Sequence, residues 1–373
     1  MSLQKNSGAV RRFARLMRFS AWLQGLPNRL TPAPFRLLQI GSAFWQSRAL
    51  YVAARLDIAT LLADETLAAE EIARRLAVDT DALYRLLRML VAMGIFVEEK
   101  PRRFGNNSLS NCLRQDNPSS VRPMILLHNS EEMSRPWYQN LEQGVRRGRV
   151  PFELAHGEEL FSYLDRHHEF DALFAQAMDS VEALTGDSFA TDFDWGRYER
   201  LIDVGGSKGA KSVTILKRHP ALRALVVDRE PVVRNAAHHW RGRVEQGILD
   251  RLSFQPGDLF EPLPPAAGDR EIYLLSAVLH GFDDESCVRV LQNVAAAAHP
   301  AKAAIALMEL VLPESGADSV ATSLDMQMLV NTRGRERTLG EWRTLFQSSG
   351  LVLDEVVSLR SFVKILVLRT RVV

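Results

Sequence analysis

His280 is the residue of this sequence best suited to acid–base chemistry. It lies in the segment Ser276–Asp284, directly after a predicted buried strand. An imidazole with an ordinary pKa of about 6.5 can accept a proton near neutral pH, whereas a free phenol, with a pKa of about 10, stays mostly protonated. A base that removes this proton as the oxygen attacks typically contributes ~10²–10⁴ in rate. His280 is therefore a candidate general base, and a histidine that only satisfies its own loop is the alternative.

A glycine-rich junction predicts a ligand site. The segment LIDVGGSKG, residues 201–209, ends a predicted strand, and its glycines let the backbone turn tightly and approach a ligand at a helix N-terminus. Asp228 ends the next strand about 20 residues later, where a carboxylate can accept both ribose hydroxyls. After the third strand, Asp258 offers an acceptor for an adenine amino group, and Leu259-Phe260 offers apolar cover for the ring. Together these features predict an adenosine site.

Two features of this site favour S-adenosylmethionine over a nicotinamide cofactor, although both ligands contain adenosine. Asp203 precedes the glycines, whereas a dinucleotide fingerprint normally lacks an aspartate there. The α/β segment is also C-terminal, whereas a dinucleotide-binding domain usually comes first in its chain. The sequence therefore predicts S-adenosylmethionine.

The elements that position these residues alternate between strand and helix after Tyr198. The predicted strands are Arg200–Val204, Ala224–Val227, Leu252–Gln255, Glu271–Ser276 and Ala303–Leu310, and the predicted helices are Ala210–Arg218, Pro231–Trp240 and Asp284–Ala298. Two further strands, Leu351–Ser358 and Phe362–Thr370, form a hairpin. This order predicts an α/β fold with a doubly wound, Rossmann-like parallel sheet, completed by one antiparallel strand. Ligands of such sheets bind at the carboxyl ends of the strands.

The N-terminal half has a helical pattern with short loops. We predict helices over Ala43–Leu62, Ala69–Leu76 (capped by Thr66) and Thr80–Met93 (capped by Thr80 or Asp79 and ended by Gly94) and a hairpin from Ile95 that returns near Leu109. This outline is that of a winged-helix module. Its third helix is rich in Leu, Met and Val, whereas a recognition helix needs a basic and polar face. Dimerisation or covering of a substrate is therefore favoured over DNA binding.

These patterns divide the chain into three predicted segments. Residues 1–120 form the winged-helix dimerisation domain, residues 121–190 a helical linker that contributes to a substrate pocket, and residues 191–373 the S-adenosylmethionine-binding domain. In the linker, Phe174 and Met178 are spaced i, i+4 and share a helix face that could line a pocket wall. Plain core packing is the alternative for both residues.

Composition excludes several classes of protein. The net charge of +1 over 373 residues argues against a large nucleic-acid-binding surface. Cys112 and Cys287 are too few for a disulfide framework or a cysteine zinc site, and no histidine–carboxylate cluster forms an evident metal set. No apolar run reaches the ~18–20 residues of a membrane span, and no secretory signal is evident. We therefore expect a cytoplasmic protein that binds no metal, nucleic acid or membrane.

Several segments, in order, resemble the plant- and bacterial-type small-molecule O-methyltransferase family. They are LIDVGGSKG, VVD, GDLFEPLP, LLSAVLHGFDDESC, MELVLPE, LDMQMLV and NTRGRERTLGEW. The resemblance covers nearly the whole chain, including the winged-helix module. Bacterial members commonly modify polyketides, phenazines and other aromatic secondary metabolites. The resemblance implies a homodimer that transfers a methyl group from S-adenosylmethionine to a hydroxyl, most readily a phenolic one, of a small molecule.

The resemblance also implies roles for the cofactor-binding residues. Gly205 and Gly206 contact the methionine end, Asp228 the ribose, Asp258 and Leu259 the adenine. The full predicted set is Asp203, Gly205, Gly206, Asp228, Asp258, Leu259, Phe260, Ser276 and Phe282.

Two residues of the glycine loop depart from the family. The family usually has glycine at Ser207 and a small polar residue at Lys208. A serine is tolerated there unless the backbone needs a positive φ, and a lysine unless its cation approaches the sulfonium.

Around the reacting oxygen, the resemblance makes His280 the base and Glu309 and Glu336 the acidic residues that flank it. A carboxylate beside an imidazole fixes its tautomer and stabilises the imidazolium. The alternatives are a strand-end carboxylate for Glu309 and, for Glu336, a salt bridge with a neighbouring arginine. Asp325 and Asn331 fall where substrate-facing polar residues occur in the family.

Three other functions remain open on the sequence. The same fold could methylate nitrogen or carbon, or could bind the cofactor and hydroxylate, decarboxylate or assist a cyclisation. A winged-helix regulator that senses a small molecule is the remote alternative.

Overall fold

The computed structural model describes residues 2–184 and 186–371. Residues 1, 185, 372 and 373, which the predicted segments include, lie outside the described residues. The chain divides into two compact units. One begins at Phe19 and comprises the rest of the first described stretch, and the other combines the residues up to Arg18 with those from Gly186 onward. The predicted boundaries at residues 120 and 190 stay a prediction.

The N-terminal half contains the predicted winged-helix module. Its helices are α1 (Ser7–Leu30), α2 (Ala33–Arg55), α3 (Ile58–Leu62), α4 (Ala69–Leu76), α5 (Thr80–Ala92) and α6 (Ser108–Asn111), and its strands are β1 (Leu67–Ala68), β2 (Phe96–Lys100) and β3 (Arg103–Asn106). The strands pair antiparallel in the order β1-β3-β2. Helices α4 and α5 with the β2–β3 hairpin form the helix–turn–helix and wing.

Three boundaries in this half were wrong. The helix predicted over Ala43–Leu62 begins earlier and is split, because Asp57 adopts a left-handed φ of 56° between α2 and α3. Thr66 does not cap α4, whose N-cap Ala68 pairs in β1 and makes no side-chain hydrogen bond. The wing returns only to Asn106 rather than near Leu109, because Asn107 caps the helical turn α6.

The third helix of the module begins at the predicted residue and ends at Ala92, one residue before the predicted end. The Asp79 carboxylate accepts the backbone N–H of Ala82 at 2.8 Å, and Gly94, with φ of 74°, follows the last turn. The apolar residues of α5 are buried, as a helix built for packing requires.

The segment that follows is helical, as predicted. Its α-helices are α7 (Arg122–His128), α8 (Glu131–Arg135), α9 (Leu141–Arg147), α10 (Pro151–His156), α11 (Leu160–Arg166), α12 (His168–Leu184) and α13 (Ser188–Asp192). Among the described residues, none of the helices is both long and apolar enough to span a membrane.

The C-terminal sheet has the predicted doubly wound topology. Its strands are β4 (Arg200–Val204), β5 (Arg223–Asp228), β6 (Leu252–Pro256), β7 (Glu271–Ser276), β8 (Ala304–Leu312), β9 (Arg337–Thr338), β10 (Leu351–Ser358) and β11 (Val363–Thr370). The helices are α14 (Ala210–Arg218), α15 (Glu230–Val233), α16 (Ala236–Trp240), α17 (Gln246–Leu249), α18 (Asp284–Ala298), α19 (Ser319–Asn331) and α20 (Leu339–Ser348). The order is β10-β11-β8-β7-β4-β5-β6, and β9 pairs with β8. Among the described strands of this sheet, only β11 runs antiparallel to the parallel strands, which confirms the predicted fold class.

Both faces of this sheet are buried, because successive residues of a strand point to opposite sides. In β4, Ile202 packs into the core on one face and Leu201 into the core on the other. Tyr273 and Ile272 alternate in the same way in β7. The near-continuous apolar runs that predicted these strands follow from this burial.

Two of the predicted elements in this half differ from the structure by more than one residue. The helix predicted over Pro231–Trp240 is two short helices, α15 and α16. The fifth strand continues to Leu312, so Glu309 lies inside β8, opposite Lys364 of β11, rather than at a strand end.

Residues near the N-terminus belong to the C-terminal sheet unit. Leu3 is buried, and its backbone N–H donates to the Glu355 carboxylate on β10 at 2.8 Å. Gln4 forms a backbone bridge with Phe193 and exchanges two hydrogen bonds with the backbone of Ser358. This N-terminal segment is therefore attached to β10, the outermost strand at one side of the sheet.

Candidate active site

The predicted catalytic residues meet near the carboxyl ends of the central parallel strands. His280 lies in a short 3₁₀ turn, Leu279–Gly281, after β7. Glu309 lies on the neighbouring strand β8, and Glu336 directly precedes β9. One imidazole nitrogen of His280 and one carboxylate oxygen of each glutamate lie within 4.8 Å of one another.

His280 and Glu336 form a direct hydrogen bond. His280 Nδ1 lies 2.9 Å from Glu336 Oε1, and Glu336 is only 3% exposed. A carboxylate accepts, so it favours the tautomer with the proton on Nδ1 and leaves the lone pair on Nε2. The alternative for Glu336 was a salt bridge with a neighbouring arginine. Arg335 and Arg337 both bind Asp284 instead, at 2.6 and 2.7 Å.

Glu309 holds the backbone that leads into His280. Its Oε1 accepts the N–H groups of Val278 at 3.1 Å and Leu279 at 3.0 Å, and the residue is 1% exposed. A carboxylate that accepts two backbone N–H groups fixes the local chain direction. Glu309 therefore orients His280 through the preceding turn.

The charges around His280 favour its protonated form. Burial by itself lowers the pKa of His280, but the hydrogen bond to Glu336 and the charges of Glu309 and Glu336 outweigh it, so the pKa lies above its ordinary value. Burial raises the pKa of Glu309. The arrangement therefore suits an imidazole that must accept a proton.

The three side chains also form a donor set that a divalent cation could use. Imidazole nitrogen and carboxylate oxygen are common zinc ligands, and the Oε2 atoms of both glutamates are buried without a partner among the described residues. The resemblance predicted that these three residues lie together, but as catalytic residues and not as metal ligands. The expected absence of a metal stays a prediction.

Two residues that were not predicted from the sequence, Gly334 and Arg337, hold the segment of Glu336 against the turn of His280. A Cβ on Gly334 would lie 1.9 Å from the His280 carbonyl oxygen, so only glycine permits this approach. Arg337 is fully buried and contacts the turn that carries His280. The motif NTRGRERTLGEW contained both residues, but neither signal shows in spacing alone.

The glycine loop is shaped by close backbone approaches. Gly205 has φ of 73°, and a Cβ there would lie 2.9 Å from Val278. A Cβ on Gly206 would lie 2.5 Å from the Asp203 carboxylate carbon. Asp203 is buried and accepts the Ser212 hydroxyl at 2.6 Å, so it supports the loop and the start of α14.

Ser207 has a positive φ, the backbone conformation in which a serine is less favourable than the glycine that the family usually has here. Its φ is 53°, and its N–H donates to Asp228 Oδ2 at 2.7 Å. The N–H of Arg229 donates to the other oxygen of Asp228, also at 2.7 Å. Lys208 is half-buried, and its carbonyl accepts the Trp240 indole N–H at 2.6 Å. Asp228 is thus fixed at the end of β5, and each of its oxygens has a further lone pair for a ribose hydroxyl.

The remaining cofactor residues follow β6 and β7. Asp258 accepts the N–H of Phe260 at 2.9 Å, and the Leu259 carbonyl is held by Asn293. The rings of Phe260 and Phe282 meet edge to face, 5.6 Å apart.

A buried hydroxyl and a close backbone approach complete this region. The Ser276 Oγ has no partner among the described residues. Gly257 leaves no room for a Cβ beside Val227. The unpartnered Ser276 hydroxyl, the exposed Asp258 carboxylate and the open backbone at Gly257 fit an adenosine-containing ligand at these strand ends.

The predicted substrate-facing residues have different surroundings. Asp325, on α19, accepts the backbone N–H of Glu336 at 2.9 Å, so it positions Glu336. Asn331 is buried, donates to Gln327 and keeps an unpartnered carbonyl oxygen among the described residues. Phe174 and Met178 share helix α12 of the other unit, and their place in a substrate pocket stays a prediction.

Comparisons with known proteins agree with this architecture. A family model described as an O-methyltransferase domain matches residues 138–352, and one described as an O-methyltransferase dimerisation domain matches residues 38–116. Together the two models cover most of the chain. The second match supports the predicted homodimer.

Individual relatives resemble the chain over most of its length. Phenazine O-methyltransferase PhzM of Lysobacter antibioticus is 34% identical, covering 88% of this chain and 95% of that protein. The 3-amino-4-hydroxybenzoate 4-O-methyltransferase of Streptomyces cremeus is 32% identical, covering 87% of each chain.

A solved structure extends the comparison to the fold. The O-methyltransferase NcsB1 of neocarzinostatin biosynthesis was solved with S-adenosylmethionine and 2-hydroxy-5-methyl naphthoic acid, and it matches with a TM-score of 0.73 and 28% identity. The match covers 87% of this chain and 96% of that one. In fold, domain content and sequence, this chain belongs to the O-methyltransferase family.

Proposed function

We propose that this chain transfers the methyl group of S-adenosylmethionine to a phenolic hydroxyl of a small aromatic or polyketide-type secondary metabolite, with His280 as the general base. The observation that carries this proposal is the His280–Glu336 hydrogen bond, formed at the same end of the sheet as the family's glycine loop. Family membership bears out the predicted enzyme class and the predicted cofactor.

The cofactor region offers a group for each part of the methyl donor. The backbone at Gly205 and Gly206 would face the methionine end, Asp228 the ribose and Asp258 the adenine amino group. The rings of Phe260 and Phe282 would cover the adenine. When bound, S-adenosylmethionine supplies a methyl carbon made electrophilic by its sulfonium sulfur.

His280 can accept the hydroxyl proton at Nε2. The Nδ1 proton is held by Glu336, so the imidazole keeps one tautomer and one orientation. As the proton moves from the substrate oxygen to Nε2, the charges of Glu309 and Glu336 stabilise the imidazolium. The side chain of His280 is 25% exposed, so the proton can afterwards pass to solvent.

The relatives support a hydroxylated aromatic substrate. The Lysobacter enzyme is named for phenazine O-methylation and the Streptomyces cremeus enzyme for the 4-hydroxyl of an aminohydroxybenzoate. NcsB1 was solved with a hydroxynaphthoic acid. A phenolic oxygen on a planar ring system is common to these molecules.

The N-terminal helices support a homodimer through the winged-helix module. Large apolar side chains on α1 and α2 are exposed within the single chain, including Phe19, Trp22, Phe35, Leu37, Leu38 and Trp45. Apolar area of this kind usually marks an interaction surface. Sedimentation should give a dimer at micromolar concentration, and a monomer there would contradict the proposal. The cytoplasmic location stays a prediction.

Replacing His280 with alanine tests the chemistry. We expect H280A to lose roughly 10²–10⁴-fold in turnover, because only the proton acceptor is removed, while calorimetry shows native affinity for S-adenosylmethionine. Turnover is measured as transfer of labelled methyl to a panel of phenols, hydroxyquinones and hydroxyphenazines, with mass spectrometry for the methylene-sized gain. The exposed His299 provides the matched control, H299A, which should keep full activity.

Other outcomes identify the alternative functions. Unchanged turnover in H280A would remove His280 as the base. A methyl group located on nitrogen or carbon by NMR would favour the related reactions, and a substrate that gains no methyl group would favour non-methylating chemistry. A salt-sensitive shift of duplex DNA would favour the regulator.

A further inference from the structure

Arg337 donates hydrogen bonds to the backbone on both sides of His280. Its guanidinium donates to the Leu279 carbonyl at 3.3 Å and to the Phe282 carbonyl at 3.0 Å. These residues lie one position before and two positions after His280. Arg337 itself is fully buried, which is rare for arginine unless its charge is paired. The guanidinium therefore fixes the turn that carries the proposed base.

Asp284 completes this attachment from the start of α18. Its Oδ1 accepts both Nε and Nη2 of Arg337, at 3.1 and 2.7 Å, and its Oδ2 accepts Arg335 at 2.6 Å. Arg335 and Arg337 flank Glu336 in the sequence. Asp284 is therefore bound from both sides of the residue that orients His280.

The guanidinium of Arg337 also packs against an aromatic ring. The Cζ atom of Arg337 lies 5.2 Å from the centre of the buried Trp342 ring. A planar fork can satisfy two carbonyls and a carboxylate while it stacks on a ring, whereas a lysine ammonium cannot. The site is thus built for arginine.

The charge of Arg337 also acts on His280. The groups that face the imidazole are Glu309 from β8 and Glu336 and Arg337 from the segment at β9. Burial and the Arg337 charge lower the pKa of His280, whereas the two glutamates raise it. Arg337 therefore limits how far the carboxylates favour the imidazolium.

We propose that Arg337 is a positioning residue that holds the turn of His280 against the segment of Glu336, with its positive charge opposing those of the two glutamates beside the imidazole. This inference rests on the proposed function for its effect on turnover. Its effect on the imidazole itself does not depend on the reaction.

The test compares R337M and R337K with R335M. The control removes an arginine that binds the same Asp284 but is half exposed and donates to neither carbonyl of the turn. The readouts are kcat, KM for each substrate, and titration of the His280 imidazole by NMR, with the His280 signal assigned by its loss in H280Q.

We expect distinct results from the three variants. R337M should lower kcat roughly 10²-fold by misplacing His280, leave KM for S-adenosylmethionine near its native value, and raise the pKa of His280. R337K should lower kcat with a smaller change in that pKa. It keeps the positive charge but loses the planar guanidinium that donates to both carbonyls and to Asp284. R335M should stay within about fivefold of the native kcat.

A folded R337M with native kcat and native titration of His280 would overturn the proposal. If R337M does not fold by circular dichroism, D284N decides, because it weakens the same attachment from a half-exposed position. Native kcat and native titration in D284N would then overturn it. Native turnover in H280A would refute the proposed base, whereas the NMR titration would still report on Arg337.

Discussion

The reaction centre and the glycine loop are built differently, although both lie at the carboxyl ends of the same parallel strands. Around His280, buried side-chain charges fix the geometry: Glu309 and Glu336 on one side and Arg337 on the other. In the glycine loop, backbone conformation fixes the geometry, with Gly205 and Ser207 at positive φ. A base needs a defined charge state, whereas a bound nucleoside needs backbone groups at close range. The difference indicates that damage to the first region should lower kcat and damage to the second should raise KM.

Gly334→Ala should give the largest effect. Its new Cβ would lie 1.9 Å from the His280 carbonyl oxygen, so the two segments must separate. We expect kcat to fall by at least roughly 10²-fold, because the base moves relative to the bound substrate. Steady-state kinetics with both substrates checks this.

Gly281→Ala is the matched control in the same turn, because a Cβ there meets nothing within 4 Å. It should keep most of the activity. Equal losses in the two variants would show that the turn, and not the contact with Gly334, is sensitive.

The two glutamates should differ in their effect on kcat. E336Q should lower kcat roughly 10-fold or more, because the charged hydrogen bond to Nδ1 is lost. E309Q keeps the acceptor for Val278 and Leu279, so its kcat should change less. It also removes a charge that raises the pKa of His280, so the acidic limb of kcat/KM should move to lower pH. An acidic limb that moves upward in E309Q would contradict the charge assignment.

Gly206→Ala should affect binding of the methyl donor more than the chemistry. Its Cβ would meet the buried Asp203 carboxylate at 2.5 Å. Overpacking of about 1–3 kcal/mol corresponds to a rise in KM of roughly 5- to 150-fold, with a smaller change in kcat. Gly247→Ala, in open space, serves as the control. A loss confined to kcat would remove the distinction between the two regions.

Ser207→Gly should give the smallest effect, and in the opposite direction. Relief of a positive φ on a non-glycine residue should stabilise the protein by about 0.5–1 kcal/mol, or a few degrees in Tm. Ser207→Ala keeps the Cβ and should show no such gain. Thermal unfolding of the two variants gives the comparison, and a lower Tm for the glycine variant would argue against strain at this position.

Local patterns predicted the sheet well. The central strands are buried on both faces, and this burial produces the apolar runs from which they were identified. The Asp79 cap and the Gly94 stop were predictable because their hydrogen bonds and dihedrals involve neighbours in the chain. The placement of Asp228 at the end of β5 followed from the same strand pattern.

Features that depend on tertiary contact were not predictable. Gly334 and His280 are far apart in the sequence, and only the folded chain shows how closely they approach. The pattern also could not show that Asp325 would bind the backbone of Glu336. The break at Asp57 was missed because the apolar helical spacing continues across it.

The attachment of Leu3 and Gln4 to the last hairpin has a consequence for the order of folding. Leu3 and Gln4 are synthesised 352 and 354 residues before their respective partners Glu355 and Ser358. The unit that carries His280 is consequently discontinuous in sequence, and this attachment can form only after β10 has been translated. A fragment that begins at Gly186 would keep every proposed catalytic residue and lack the attachment.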